Sequence, residues 1–174
     1  MNNASTTFLS FHSTGEFGRG YYRSHCGPTA ITNLIISARQ ETEGRQLAPG
    51  ECQEIFESVA SYGRRMLIYN RKHGTTDLLL GFYVRAAFRN NDINILRPGR
   101  RYTLGASNAR KVLSRGSYML LEVFGHPKYG WHQMLIYGTD DEGRFIAADG
   151  LEKAPVRLTD DEIGRGLFLE IRHS

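Results

Sequence analysis

The chain has 174 residues, of which 40% are hydrophobic and 23% charged, with a formal charge of +4. Those values suit one ordinary globular domain over 1–174, long enough to bury roughly 70% of its unfolded surface without disulfides. No stretch reaches the ~18 apolar residues that cross a bilayer, and Met1-Asn2-Asn3-Ala4-Ser5-Thr6-Thr7 has neither the basic nor the apolar part of a signal peptide.

The expectation is therefore a cytoplasmic protein without a membrane segment, its Cys26 and Cys52 reduced rather than joined. The arginines are dispersed, with small groupings at Arg64-Arg65, Arg71-Lys72 and Arg97-Pro98-Gly99-Arg100-Arg101. None reaches the run of five or six like charges of a basic arm, so a solvated face is favoured over a nucleic-acid partner.

In chain order, Thr7-Phe8-Leu9-Ser10-Phe11-His12 suits a short strand, and Gly15 to Tyr22, rich in glycine and aromatics, suits a loop that leads into a site. A helix is predicted from Cys26 to near Arg39, with Ala30, Ile31, Leu34, Ile35 and Ala38 as its buried stripe. Gly44 and Pro49-Gly50 break the chain. Glu51 to Tyr62 repeats the helical pattern, acids early and Arg64-Arg65 past its end, as the helix dipole prefers. Thr75-Thr76-Asp77 signals the start of a third helix over 78–88, ended by Asn90-Asn91 and apolar on nearly every side, hence central.

From Ile93 the pattern turns toward strands. Ile93 to Leu96 is a short candidate, and Ser107 caps a brief helix through Leu113. Ser117 to Phe124 is a strong strand, and Gly125 to Gly130 is a loop carrying His126. A hairpin follows over 130–150, then a helical turn at Thr159-Asp160-Asp161-Glu162 and a last strand from Gly166 to Arg172. Helices first and an antiparallel sheet second define an α+β domain.

The chemistry centres on Ser24-His25-Cys26-Gly27-Pro28-Thr29-Ala30. Cys26 opens a helix whose free N–H groups and positive end favour a thiolate, drawing its pKa toward neutrality. Cys52, between Glu51 and Glu54, is the worse nucleophile. In the hairpin, a turn closing between Asp140 and Gly143 sets Asp149 across from Met134 and Leu151 across from His132. Asp149 then lies on the face of His132 as its diagonal neighbour, roughly 7–8 Å away at the backbone. Cys26, His132 and Asp149 thus supply nucleophile, base and orienting acid in chain order.

Each residue also has a plain structural reading. A cysteine packs, a histidine ahead of Met134-Leu135-Ile136 is a satisfied core residue, and an aspartate before Gly150 bonds its own turn. No His-Glu-x-x-His, Cys-x-x-Cys or zinc-finger spacing is present, so neither a metal nor another cofactor is expected.

The Cys-Gly-Pro-Thr-Ala helix start, the histidine before an apolar strand that ends near Tyr137-Gly138, and the following Ala148-Asp149-Gly150 resemble papain-fold bacterial cysteine peptidases. The likeness is to the bacteriocin leader peptidases that remove double-glycine leaders, and to their free-standing relatives. It implies a papain-like fold, Cys26, His132 and Asp149 as the triad, and a peptide or protein substrate. An acyltransferase with the same triad and an inactive, peptidase-like binding module remain open beside it. That family places a glutamine shortly before its cysteine to share the oxyanion hole, and none precedes Cys26 here. Arg19, Tyr21, Tyr22 and Ser24 are the candidates for that donor, and Trp131 is a candidate substrate contact.

Overall fold

The computed structural model describes residues 16–17, 24–70, 72–103, 105–164 and 166–174. The candidate strand at Thr7–His12, Tyr21, Tyr22 and most of the aromatic loop lie outside these.

Helix α1 (Cys26–Glu43) is buried along almost its whole length. It runs one turn past the expected end because Arg39 pairs with Glu43 at 2.7 Å across that turn. Gly44, at φ 64°, then stops it, donating its N–H to the Gln40 carbonyl. Helix α2 (Pro49–Arg65) starts on a proline, and the Glu51 carboxylate accepts the Ala48 N–H at 2.8 Å. Its Ile55, Phe56, Val59 and Ala60 are buried in a core shared with Ile31, Leu34 and Ile35 of α1.

The segment after α2 departs from expectation. Thr75 caps no helix; it belongs to β2 (Gly74–Thr75), which pairs antiparallel with β1 (Tyr69–Asn70). A 3-10 turn (Asp77–Leu79) precedes α3 (Leu80–Asn90). This helix is not buried all round: Tyr83, Val84, Ala87 and Phe88 enter the core, while Phe82 is 50% exposed, and Leu78, expected within the helix, is 85% exposed in the 3-10 turn before it. It buries one face and leaves the other open to solvent.

The second half is a six-stranded antiparallel sheet in the order β3-β8-β4-β5-β6-β7. Its strands are β3 (Leu96–Thr103), β4 (Tyr118–His126), β5 (Gly130–Thr139), β6 (Phe145–Ala148), β7 (Val156–Leu158) and β8 (Gly166–His173), with α4 (Ala106–Leu113) between β3 and β4 and α5 (Asp160–Ile163) before β8. Strand alternation gives the sheet two apolar faces. Leu120, Leu135, Ala148, Leu169 and Ile171 join the core of α1, α2 and α3. Met119, Leu121, Met134, Ile136 and Phe168 meet Ala109 and Val112 of α4 and Ile163 of α5. The α+β layout read from the sequence is the observed one, and no helix among the described residues is long and apolar enough to cross a membrane.

Two strands were misplaced by pattern. The strand expected over Ile93 to Leu96 instead begins at Leu96 and runs through the basic grouping Arg97–Arg101 as β3, pairing with β8 at the sheet edge, where Pro98 is tolerated and the register shifts before Arg101. His126 ends β4 instead of sitting in a loop. Away from the turn the hairpin has the expected register, Leu135 facing Ala148 and Ile136 facing Ala147, but beside the turn Gly138 faces Ile146 and Thr139 faces Phe145, and a bulge between Ile136 and Gly138 takes up the difference; Gly143 donates to the Asp140 carbonyl at the turn.

Candidate active site

Cys26 is the first residue of α1. No side chain caps that helix and no acid occupies its first turn, so its free N–H groups are left to the sulfur. The backbone N–H groups of Gly27, of Cys26 itself and of Gln133 on β5 all stabilise the thiolate form. Burial nevertheless outweighs them and, with the nearby Glu122 charge, pushes the thiol up from its ordinary value. The expected lowering by the helix end is therefore overturned: the resting group is a thiol. Cys52 is buried and also raised, by desolvation first and by the Glu51 charge second. Both cysteines are free.

His132 is buried on β5, with its ring stacked on Tyr129 at 5.3 Å between centroids and 15° between planes. Its Nε2 lies 2.5 Å from the backbone carbonyl of Asp149. A carbonyl only accepts, so Nε2 carries the hydrogen and Nδ1 keeps its lone pair. Burial pulls the imidazole pKa down, partly offset by that bond and by the Asp149 charge. The ring is therefore neutral at neutral pH.

The Asp149 carboxylate does not reach the ring, contrary to the orienting role expected for it. Its Oδ1 accepts the N–H groups of Leu151 at 2.9 Å and Glu152 at 3.1 Å, and its Oδ2 accepts from the Tyr129 hydroxyl at 3.1 Å. The chain turns immediately after β6, and the carboxylate is taken up in closing that turn. The residue holds the imidazole by its main chain and touches it only through its charge.

A cavity of about 200 Å³ brings Cys26, His132, Ser24 and Trp131 together with Lys72, His73, Thr75, Glu122 and Gln133. Ser24 is buried in its wall, whereas Trp131 is 75% exposed at its rim, edge-on to Phe124. The short β1–β2 ribbon carries Lys72, His73 and Thr75 to the cavity, and sequence reasoning missed them. Glu122 and Gln133 were also missed, although each is a polar residue inside an apolar strand and so marks itself. They face each other across β4 and β5, with Gln133 Nε2 donating to Glu122 Oε1 at 3.2 Å. Burial first, and the adjacent Asp77 carboxylate second, push Glu122 up to about 8.

Gly27 is required by this packing. A Cβ there would lie 2.1 Å from Gln133 Oε1 and 2.3 Å from Thr75 Oγ1. No group of metal-ligating side chains occurs among the described residues.

No protein-family model matches the chain, and no curated protein matches it. Among solved structures it is similar to the peptidase domain of Streptococcus ComA, a bi-functional ABC transporter involved in a quorum-sensing pathway, at 15% identity and a TM-score of 0.48, over 86% of this chain and 91% of that one. It is also similar to the Pseudomonas avirulence protein AvrPphB, at 11% identity and a TM-score of 0.48, over 94% of this chain and 97% of that one.

Proposed function

We propose that the chain is a papain-like cysteine peptidase in which Cys26 attacks a peptide or amide carbonyl and His132 moves the proton. One observation carries this reading: the sulfur meets the N–H of Gln133, the residue after His132, and the Cys26 and His132 residues line a single cavity.

In the proposed reaction the Cys26 proton passes to Nδ1 of the neutral His132, and the sulfur forms a bond to the carbonyl carbon. The new oxyanion is met by the free Cys26 N–H at the start of α1. His132 then returns its proton to the leaving amine as the C–N bond breaks. Water, giving its proton to His132, hydrolyses the thioester and restores the thiol. The Asp149 carbonyl holds Nε2–H throughout, and Asp149 supports the imidazolium by its charge. Because the resting thiol is raised rather than lowered, activation depends on this transfer rather than on a standing ion pair.

The test is turnover of a fluorogenic peptide mixture by the wild-type chain, by Cys26→Ala and by His132→Ala. Loss in both variants supports the reading. Product formed only when an amine acceptor is added assigns an acyltransferase instead. No turnover, with peptide affinity unchanged in Cys26→Ala, assigns a binding module, the reading that the burial of the thiol favours.

A further inference from the structure

The inner wall of the cavity holds a buried carboxyl and a buried amide that no donor among the described residues fills. Glu122 and Gln133 are each only 6% exposed, both line the cavity, and Glu122 Oε2 and Gln133 Oε1 accept no hydrogen bond from the described residues; the Glu122 carboxyl, protonated at neutral pH, bonds the Asp77 carboxylate instead. The bond from Gln133 Nε2 to Glu122 Oε1 fixes the amide orientation and leaves Oε1 as the free atom. The Gln133 oxygen left unsatisfied costs about 1–3 kcal/mol, and two carboxyls that must hold a proton between them are short of one positive charge, so the wall is built to receive a cationic donor. Arg101 does not fill this place: its guanidinium stops 3.8 Å from Glu122 Oε2, outside hydrogen-bond range. Lys72 and His73 are exposed at the mouth. The Asp77 carboxylate stands beside Glu122 and adds negative charge.

We propose that this wall is a recognition subsite for a cationic side chain of the substrate, a guanidinium or ammonium group, with Glu122 Oε2 and Gln133 Oε1 as its acceptors. The proposal deepens the peptidase reading and rests on it for the identity of the ligand as a peptide. A forked guanidinium suits two acceptors on neighbouring strands, because its N–H groups diverge in one plane. The cation displaces the proton that Glu122 otherwise holds up to about 8, so affinity rises with pH through the neutral range.

The experiment titrates Nα-acetylarginine amide, and separately Nα-acetylcitrulline amide, into the full chain carrying Cys26→Ala, by calorimetry. Citrulline keeps the shape and loses the charge. The expected result is at least about tenfold tighter binding of the arginine compound, with the preference removed by Glu122→Gln and its rise with pH moved to lower pH by Asp77→Asn, which takes away the neighbour that holds the Glu122 proton. Asp77 is partly exposed on a 3-10 turn, so its variant tests the idea even if Glu122→Gln unfolds. Equal binding of the two compounds, saturable binding of neither, a preference that survives Glu122→Gln, or a pH dependence unmoved by Asp77→Asn overturns the proposal. Alkylation of Cys26 in the otherwise wild-type chain by the small neutral reagent iodoacetamide is read in parallel. An arginine preference with an inert Cys26 keeps the subsite and removes the peptidase reading, and a reactive Cys26 without the preference does the reverse.

Discussion

Glu122→Gln separates the proton on this buried carboxyl from its shape. In the folded chain Glu122 holds its proton up to about 8, whereas the unfolded chain releases it near 4.5. Between those values the folded state binds more protons, so the contribution to stability is complete below about 4.5 and is lost as pH rises through about 8. His132, whose pKa burial lowers, works in the opposite sense, but only as pH falls below about 6.5, where the unfolded imidazole takes up its proton first. Cys26 enters only above about 9, where the unfolded thiol ionises first. The clear window is therefore roughly pH 6.5 to 8. One proton corresponds to ~1.4 kcal/mol per pH unit, and with the folded carboxyl half ionised at the upper limit the wild-type chain should lose about 1–2 kcal/mol across the window. Glutamine keeps the length and cannot titrate, so the variant should be flat relative to wild type. Urea unfolding followed by far-UV circular dichroism is the assay, because the single tryptophan, Trp131, is 75% exposed and a poor reporter of the core. Parallel stability curves for the two proteins across the window would refute the buried-carboxyl reasoning.

Gly27→Ala should destabilise by about 1–3 kcal/mol in urea, because its Cβ collides with Gln133 and Thr75; an unchanged midpoint would mean that both side chains move freely. Tyr129→Phe removes the hydroxyl donor to Asp149 Oδ2, and the same assay should read a loss of about 1–3 kcal/mol. Asp149→Asn keeps both the backbone carbonyl on His132 and an acceptor for Leu151 and Glu152, so Cys26 reactivity should fall severalfold at most; an abolished reactivity would return the orienting role to the carboxylate. The rate of Cys26 alkylation should climb steadily with pH beyond 8, as for a raised thiol, and a plateau from acidic pH would instead reveal a stable ion pair.

The order of elements was legible because apolar spacing is a local property. The helical period of α2, the apolar run of β4 and the acidic turn at Asp140 all survive folding, whereas α1 is buried well beyond its predicted stripe. The hairpin register is a different case: the pairs beside the turn are offset by one residue from those expected, and a bulge between Ile136 and Gly138 restores the expected pairing near the site. Thr75 was misread because a Thr-Thr-Asp signal looks alike at a helix start and at the end of a ribbon, and only pairing with Tyr69 decides between them. Long-range packing governed the other departures. The thiol pKa follows from the burial of Cys26 under β5, which no local pattern reports. The role of Asp149 was split between its carbonyl and its carboxylate by the path of the chain after β6. Glu122 and Gln133 appeared in the sequence as single polar residues in apolar runs, and their meaning arises from the strand pairing that sets them face to face.

The central claim is that the His132 imidazole takes the proton of the Cys26 thiol. Mass-spectrometric measurement of iodoacetamide labelling at neutral pH, with the rates at Cys26 and Cys52 resolved by peptide, tests it most directly. Cys26 should label much faster than the buried Cys52, and His132→Ala should bring the two rates together. Equal rates in the wild-type chain, or a Cys26 advantage untouched by His132→Ala, would contradict the account.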